Sequence, residues 1–307
     1  MGRRKKGDKI DGWVNLDKPL GLTSTQAMAK VRRILNAQKA GHAGTLDPSA
    51  TGILPIALGE ATKTIPFAQD RLKIYEFTIT WGEQRDTDDS EGETIATSDV
   101  RPAPADIEAL LCEFMGEIEQ IPPRFSAIKI DGQRAYDLAR GGEDVELKPR
   151  KVFIESLELL DARADDADFV MTCGKGTYVR SLARDMAEKL GTYGYVSALR
   201  RLKVGPFSEK NAISLEKLEE MGDKAREALL PLETVLDDIP ALAIKEGEMA
   251  KFRNGQSVSF VARPDFERLK QIGLENDHIA IAMFQERPIA MVERQGPNIQ
   301  PVRVFNI

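Results

Sequence analysis

The stretch Gly41–Lys63, GHAGTLDPSATGILPIALGEATK, constrains this chain more than any other. It holds four glycines (Gly41, Gly44, Gly52, Gly59), two prolines (Pro48, Pro55) and only two acidic residues, Asp47 and Glu60. Glycine reaches backbone conformations that other residues resist, and proline fixes φ. Yet Leu46, Ile53, Leu54, Ile56 and Leu58 make the stretch too apolar for a floppy linker. The pattern predicts a buried, tightly shaped loop with one carboxylate, Asp47, set directly before a proline. Asp-Pro is also an ordinary turn former, so a plain turn is the competing reading of Asp47.

A chain of 307 residues has room for more than one domain. It contains no run of eighteen apolar residues, so no membrane span is indicated. The basic start, Arg3-Arg4-Lys5-Lys6, is followed by no apolar signal-peptide core. Cys112 and Cys173 stand far apart without metal-ligand spacing, which fits a reduced, cytoplasmic protein with no structural zinc. The net charge of -6 speaks against a nucleic-acid partner, but the charge is uneven. Residues 1–73 hold thirteen Lys or Arg against six Asp or Glu, an excess of +7, so the remainder carries -13. That asymmetry points to a polyanion-binding face, or else to a solvated helix face with a frayed tail.

In chain order, Trp13–Leu16 reads as a strand that ends in the turn Asp17-Lys18-Pro19-Leu20-Gly21. Thr23 and Gln26 have capping-box spacing, and Met28, Val31, Ile34 and Leu35 recur at helical spacing, predicting a helix over 24–36. Lys30, Arg32 and Arg33 lie off its apolar stripe. Residues 59–69 predict another short helix. Residues 74–81 alternate with period two, placing Tyr75, Phe77, Ile79 and Trp81 on one face of a strand. The acidic run 86–92 lacks the ligand pattern of a calcium loop and reads as a solvated turn. A helix is predicted over Asp106–Gly116, an extended segment over 121–127, a short helix over Tyr136–Arg140, and strands over 152–160 and 168–173. Gly174-Lys175-Gly176-Thr177-Tyr178 opens a helix carrying Val179, Leu182, Ala183, Met186 and Leu190. Arg180 falls in its first turn, where a cation opposes the macrodipole, so its placement does not serve the helix. A strand near 196–204 contains Leu199-Arg200-Arg201, and a charged helix covers 215–221. Pro231 and Pro240 bracket a linker. Beyond it, candidate strands at 256–262, 278–284, 288–293 and 302–307, with turns at Asn254-Gly255 and Gly296-Pro297, suggest a small β-rich module.

With these residues in place, the chain resembles the bacterial tRNA pseudouridine 55 synthases, the TruB family, over almost its whole length. The most specific motif is GHAGTLDPSATG around Asp47. In order come Leu16-Asp17-Lys18-Pro19 with Gly21, Gly59-Glu60-Ala61-Thr62-Lys63, Ile74-Tyr75, Gly174–Arg180 and Leu199-Arg200-Arg201. Asn254-Gly255 and Val302-Arg303-Val304-Phe305 are similar to pieces of the PUA-like end module of bacterial members. The resemblance implies an α+β fold. A catalytic domain, residues 1–238, would be built on a mixed, largely antiparallel sheet flanked by helices. Residues 239–307 would form a PUA-like C-terminal RNA-binding module.

The implied reaction isomerises uridine 55 in the T-loop of elongator tRNAs. The N1–C1′ bond breaks, the uracil turns, and C5 bonds to C1′, with no metal and no cofactor. The chain has neither a phosphate-binding loop, a dinucleotide glycine fingerprint nor a metal-ligand cluster. By resemblance Asp47 is the catalytic carboxylate, acting as nucleophile or base. Arg180 keeps it ionised through its planar fork, which can pair bidentately. Tyr75 stacks on the flipped base and its hydroxyl helps remove the C5 proton, although its place on the Phe77–Trp81 face fits plain core packing too. Tyr178 and Leu199 belong to the base pocket. His42 touches the neighbourhood of the flipped nucleotide, or is structural. Lys18 supports the active-site loop or a phosphate. The expected partner is the tRNA T-arm, with no membrane, no obligate protein partner and a monomeric state. Two other readings compete: a relative acting on another RNA with a guide, against which the short N-terminus and compact tail argue, and a non-catalytic RNA-binding or RNA-folding protein.

Overall fold

Tyr75, Phe77, Ile79 and Trp81 all lie buried on one side of a strand, as their alternation requires. The computed structural model describes residues 7–126, 129–130, 133–134, 147–276 and 278–307. The chain begins with β1 (Gly12–Lys18), α1 (Ser24–Ile34), β2 (Ala40–His42), β3 (Ala50–Leu58), α2 (Ile65–Asp70) and β4 (Lys73–Trp81). The hairpin β5 (Glu83–Arg85) and β6 (Thr94–Thr97) follows, then α3 (Pro104–Leu110), β7 (Gly116–Gln120), β8 (Lys129–Ile130) and β9 (Gln133–Arg134). Next are β10 (Arg150–Ala162), β11 (Asp166–Cys173), α4 (Val179–Lys189), β12 (Gly194–Val204), β13 (Phe207–Ser208), β14 (Ile213–Ser214) and α5 (Leu215–Glu220). The final part contains β15 (Ala241–Ala243), α6 (Glu246–Arg253), β16 (Val258–Ser259), α7 (Arg263–Gln271), β17 (Ile279–Phe284), β18 (Arg287–Gln295) and β19 (Asn298–Val304).

One sheet of ten strands runs β14-β1-β3-β12-β4-β11-β10-β7, with β2 added to β3 and β13 to β12. The β1–β14 and β3–β12 pairs are parallel and the others antiparallel, so the sheet is mixed and largely antiparallel, as expected. The Phe77 and Phe169 rings stack at 5.3 Å, and Trp81 meets Phe169 edge-on at 6.5 Å. Helix α1 carries the expected capping box between Thr23 and Gln26. Helix α4 lays Val179, Leu182, Ala183 and Met186 into the same core.

The Gly41–Lys63 stretch is less of a loop than expected. Residues 50–58 form β3, inside the sheet, with all but one residue buried. The apolar run Ile53–Leu58 is covered on both faces, which is the environment of an interior strand. Pro55 fits there because β3 changes neighbour: β12 pairs with Ala50–Gly52 and β2 with Ile56–Leu58. Between them, Arg201 Nε donates to the Ile53 carbonyl (2.7 Å) and Ala43 N–H to the Pro55 carbonyl (2.9 Å). No ladder bond calls for the N–H that proline lacks.

Three further expectations change. The acidic run 86–92 is not a solvated turn, because Asp88 and Asp89 are buried against arginines of α4. The segment between Pro231 and Pro240 is not a free linker. Leu232, Val235 and Leu236 are buried, and Trp13 Nε1 donates to the Leu232 carbonyl at 3.3 Å. The β-rich tail forms a five-stranded sheet, β15-β17-β18-β19-β16, but it also holds α6 and α7. Each of these charged helices buries a single residue, Phe252 or Leu269, too little to show as an apolar stripe. The helix expected at Tyr136–Arg140 lies outside the described residues. The tail has its own core, and it also packs Ile281, Met291 and Phe305 against Trp13, Ile53 and Phe207. Lys63 Nζ donates to the Val304 carbonyl (2.6 Å) and Asn306 N–H to Glu60 (2.8 Å), joining the two sheets' layers.

Gly52 has φ of 100°, and a Cβ there would lie 2.2 Å from the Arg201 carbonyl oxygen. Gly52→Ala is therefore expected to destabilise the protein by about 3 kcal/mol. Urea unfolding of the two proteins measures it; a loss below about 1 kcal/mol would show that the β3–β12 contact can relax.

Candidate active site

Asp47 does occupy a turn, closed by Ala50 N–H on the Asp47 carbonyl at 3.1 Å. What distinguishes this turn is how firmly it is held. On one side of Asp47, Ser24 Oγ accepts from Leu46 N–H (2.8 Å) and donates to the Leu46 carbonyl (3.0 Å). On the other, Gly21 N–H donates to the Pro48 carbonyl at 2.9 Å. Beneath, the fully buried Arg201 guanidinium donates to the carbonyls of Gly44 (3.1 Å) and Thr45 (3.4 Å). The position of Asp47 is thus set by buried hydrogen bonds from α1 and β12, which are costly to break.

Arg180 stands at the start of α4, behind the N-cap residue Tyr178. Gln120, itself buried, accepts from Tyr178 N–H (2.8 Å) and donates to the Tyr178 carbonyl (3.1 Å). The Arg180 side chain is only 6% exposed, and its Nε lies 3.0 Å from Asp47 Oδ2. Its two terminal nitrogens donate to the carbonyls of Thr87 and Phe125, each at 2.9 Å, and Nη1 is also 3.6 Å from Asp89. The fork expected to face Asp47 is therefore shared among three chain segments. One turn later, Arg184 meets Asp88 at 3.1 Å and the Ile121 carbonyl at 3.0 Å. These contacts explain the burial of the acidic run: its carboxylates neutralise two arginines that the sheet has desolvated.

A pocket of about 240 Å³ opens at this point. Its lining includes Asp47, Arg180, Tyr75, Tyr178 and Leu199, so five of the seven residues singled out in the sequence converge. Burial pushes the phenols of Tyr75 and Tyr178 up, so both are protonated at neutral pH. His42 and Lys18 are not in the lining. His42 lies on β2, held neutral below its ordinary pKa by burial and by Arg201, and its Nδ1 is buried without a partner among the described residues. Lys18 is fully buried, and its ammonium caps the carbonyls of Pro19 (2.9 Å) and Leu22 (2.7 Å) in the turn that leads to α1. Burial lowers it to about 8, with Asp47 opposing the drop.

Sequence reasoning missed Ser24, Gln120, Asp89 and Arg201, and also Lys73, which lines the pocket with its ammonium on the carbonyls of Gln69 (2.6 Å) and Arg71 (2.7 Å). Asp89 had a signal in the acidic run, and Arg201 had one as a charge inside an apolar strand. Ser24 and Gln120 act on backbone groups far away in sequence and leave no local trace.

Comparison with known proteins bears on this geometry. Residues 32–179 match the model of the TruB family pseudouridylate synthase N-terminal domain. Residues 180–237 match that of the tRNA pseudouridylate synthase B C-terminal domain. A Caulobacter vibrioides protein named tRNA pseudouridine synthase B is 54% identical, with 100% of each chain covered. A Bradyrhizobium diazoefficiens protein of the same name is 53% identical over 99% of this chain and 88% of its own. Among solved structures, the chain is similar to one in the crystal structure of a Cbf5-Nop10-Gar1 complex. The TM-score is 0.72 at 27% identity, covering 96% of this chain and 84% of that one.

Burial raises the Asp88 carboxyl to about 6, against the opposing pull of Arg184 and Arg180. A carboxyl-selective NMR titration should show one aspartate titrating near that pH, absent from Asp88→Asn. Because the folded pKa lies above the unfolded one, the stabilising contribution is complete below about pH 4 and lost as pH rises through about 6. Between those limits the unfolding free energy of wild type relative to Asp88→Asn should fall by about 3 kcal/mol. A pH-independent difference would contradict this environment for Asp88.

Proposed function

The chain belongs to the TruB family of pseudouridylate synthases, and from that premise we propose that it isomerises uridine 55 in the T-arm of elongator tRNAs. The observation that carries this reading is the Asp47 carboxylate, 3.0 Å from a desolvated arginine, in a pocket with room for one base. A uridine stacked in an RNA loop reaches such a pocket only by flipping out. Asp47, paired with Arg180, then serves as nucleophile or base while the N1–C1′ bond breaks and the C5–C1′ bond forms. A hydrolytic glycosidase uses two carboxylates on the reacting bond. Asp47 is the only carboxylate in the pocket lining among the described residues, and Asp89 is turned to Arg180. The apolar walls, Leu46, Val179 and Leu199, favour retention of the freed uracil over attack by water. Tyr75, protonated, is better suited to stacking against the base than to acting as a phenolate.

Helix α1 would supply part of the RNA face through Arg32 and Arg33, both exposed and on its last turn. We assign residues 1–238 to the catalytic domain and 239–307 to a PUA-like RNA-binding module; the separate five-stranded sheet with its own core supports that division. No helix among the described residues is long and apolar enough to cross a membrane, and we assign the protein to the cytoplasm on the strength of the tRNA substrate.

An unmodified tRNA transcript tests the reading. Wild type should form pseudouridine at position 55, and Asp47→Asn should be slower by on the order of 10³ or more. Equal yields would remove Asp47 from the chemistry, and product at another position would overturn the substrate. Arg180→Lys keeps the charge but cannot serve Asp47, Thr87, Phe125 and Asp89 together, so kcat should fall by about 10². Replacing Arg32 and Arg33 by Ala should weaken tRNA binding and lower the slope of log K against log salt by roughly one to two. An unchanged slope would place the RNA on another face.

A further inference from the structure

Most polar side chains around the pocket already have partners. Arg180 serves Asp47, Thr87, Phe125 and Asp89, and Arg201 serves Gly44, Thr45 and Ile53. Thr177 Oγ1 donates to the Gly174 carbonyl at 3.3 Å, and Lys73 caps two carbonyls. Ser126 differs. It lines the pocket, is 4% exposed, and its Oγ has no hydrogen-bond partner among the described residues. The Tyr178 phenol lies close enough to feel the Ser126 hydroxyl, but the contact is not a well-formed hydrogen bond that satisfies Oγ. A buried hydroxyl without a partner costs about 1–3 kcal/mol, so its retention calls for a partner that arrives later.

The location of Ser126 indicates that partner. Its neighbour Phe125 is held by the same guanidinium that holds Asp47, so one rigid group fixes both the carboxylate and the Ser126 backbone. In that reading the Asp47–Arg180 pair is committed to the reacting bond. The remaining polar features of a flipped uridine are the two uracil carbonyls and N3–H, and a hydroxyl can donate to a carbonyl. Cleavage of N1–C1′ leaves the bonding electron pair on uracil, where it spreads to O2 and O4. A donor there stabilises the detached base more than the bound nucleotide.

We propose that the Ser126 hydroxyl is a base-binding group that donates to a uracil carbonyl and strengthens its bond as the base detaches. This rests on the pseudouridine synthase reading above. It also supplies selectivity, because a pocket that offers a hydrogen bond rejects bases that cannot take it.

T-arm stem-loops carrying uridine, 2-thiouridine or 4-thiouridine at the target, under single-turnover conditions with excess enzyme, test the proposal. Sulfur is the poorer acceptor, so in wild type one of the two thio substitutions should slow isomerisation by roughly 10- to 100-fold. Ser126→Ala should lose a similar factor on uridine and show little further loss with that thio analogue. Ser126→Gly gives the same comparison in a second background, melting curves confirm folding, and Ser126→Thr should restore most of the rate. The thio position that loses its effect in Ser126→Ala identifies the carbonyl. Wild-type rates in Ser126→Ala on uridine, or equal thio penalties in both proteins, would overturn the proposal. If wild type makes no pseudouridine from the uridine stem-loop or from full-length tRNA, the functional reading itself fails, and this inference with it.

Discussion

The site depends on a single desolvated cation. Arg180 is held on α4 with almost no exposure to water, and its charge is matched by Asp47 on one side and Asp89 on the other. A buried guanidinium is costly unless every donor is used, and here Nε, Nη1 and Nη2 each have an acceptor. Removing Asp47 would leave the buried Nε without its acceptor in a low-dielectric environment. The same guanidinium that pairs with Asp47 also ties together the acidic run, the segment after β7 and the turn before β3. Electrostatic satisfaction and catalytic geometry are one requirement here.

Around this cation the backbone is fixed by side chains whose polar atoms are spent on backbone groups. Ser24 closes both hydrogen-bonding groups of Leu46, and Gln120 does the same for Tyr178. Arg201 occupies the gap between β12 and β2, where Pro55 interrupts the ladder. Each clamp joins the pocket to a regular element, α1, β7 or β12, and so transfers the rigidity of the sheet to a turn. A turn held this way can present a carboxylate at constant orientation, which is what a reaction with a rotating base requires. The tail adds support from behind, through Phe305, Met291 and Ile281 on the Trp13 cluster.

Much of the fold was legible in the sequence, because its signals are local. The period-two run around Tyr75, the capping box at Thr23 and the apolar spacing after Val179 specify their elements without reference to anything distant. The reading faltered where local composition and tertiary context disagree. Pro55 suggested a loop, but the sheet changes partner at that residue. Asp88 and Asp89 looked solvated, but arginines more than ninety positions away bury them. Helices α6 and α7 escaped notice because one buried side chain each is no periodic signal.

The sequence by itself determined the elements, the family and the carboxylate, since motif order and spacing around Asp47, Tyr75 and Arg180 are properties of the chain. Only the tertiary structure decided which groups surround that carboxylate. Five of the seven candidate residues meet at one pocket, while Lys18 caps the turn before α1 and His42 lies on β2 outside the lining. Ser126, Arg201 and Asp89 joined them from strands and turns that sequence spacing cannot connect. The reason is physical. Periodicity records which side of an element faces the core, but the partners of a buried charge or hydroxyl are chosen by packing between distant segments.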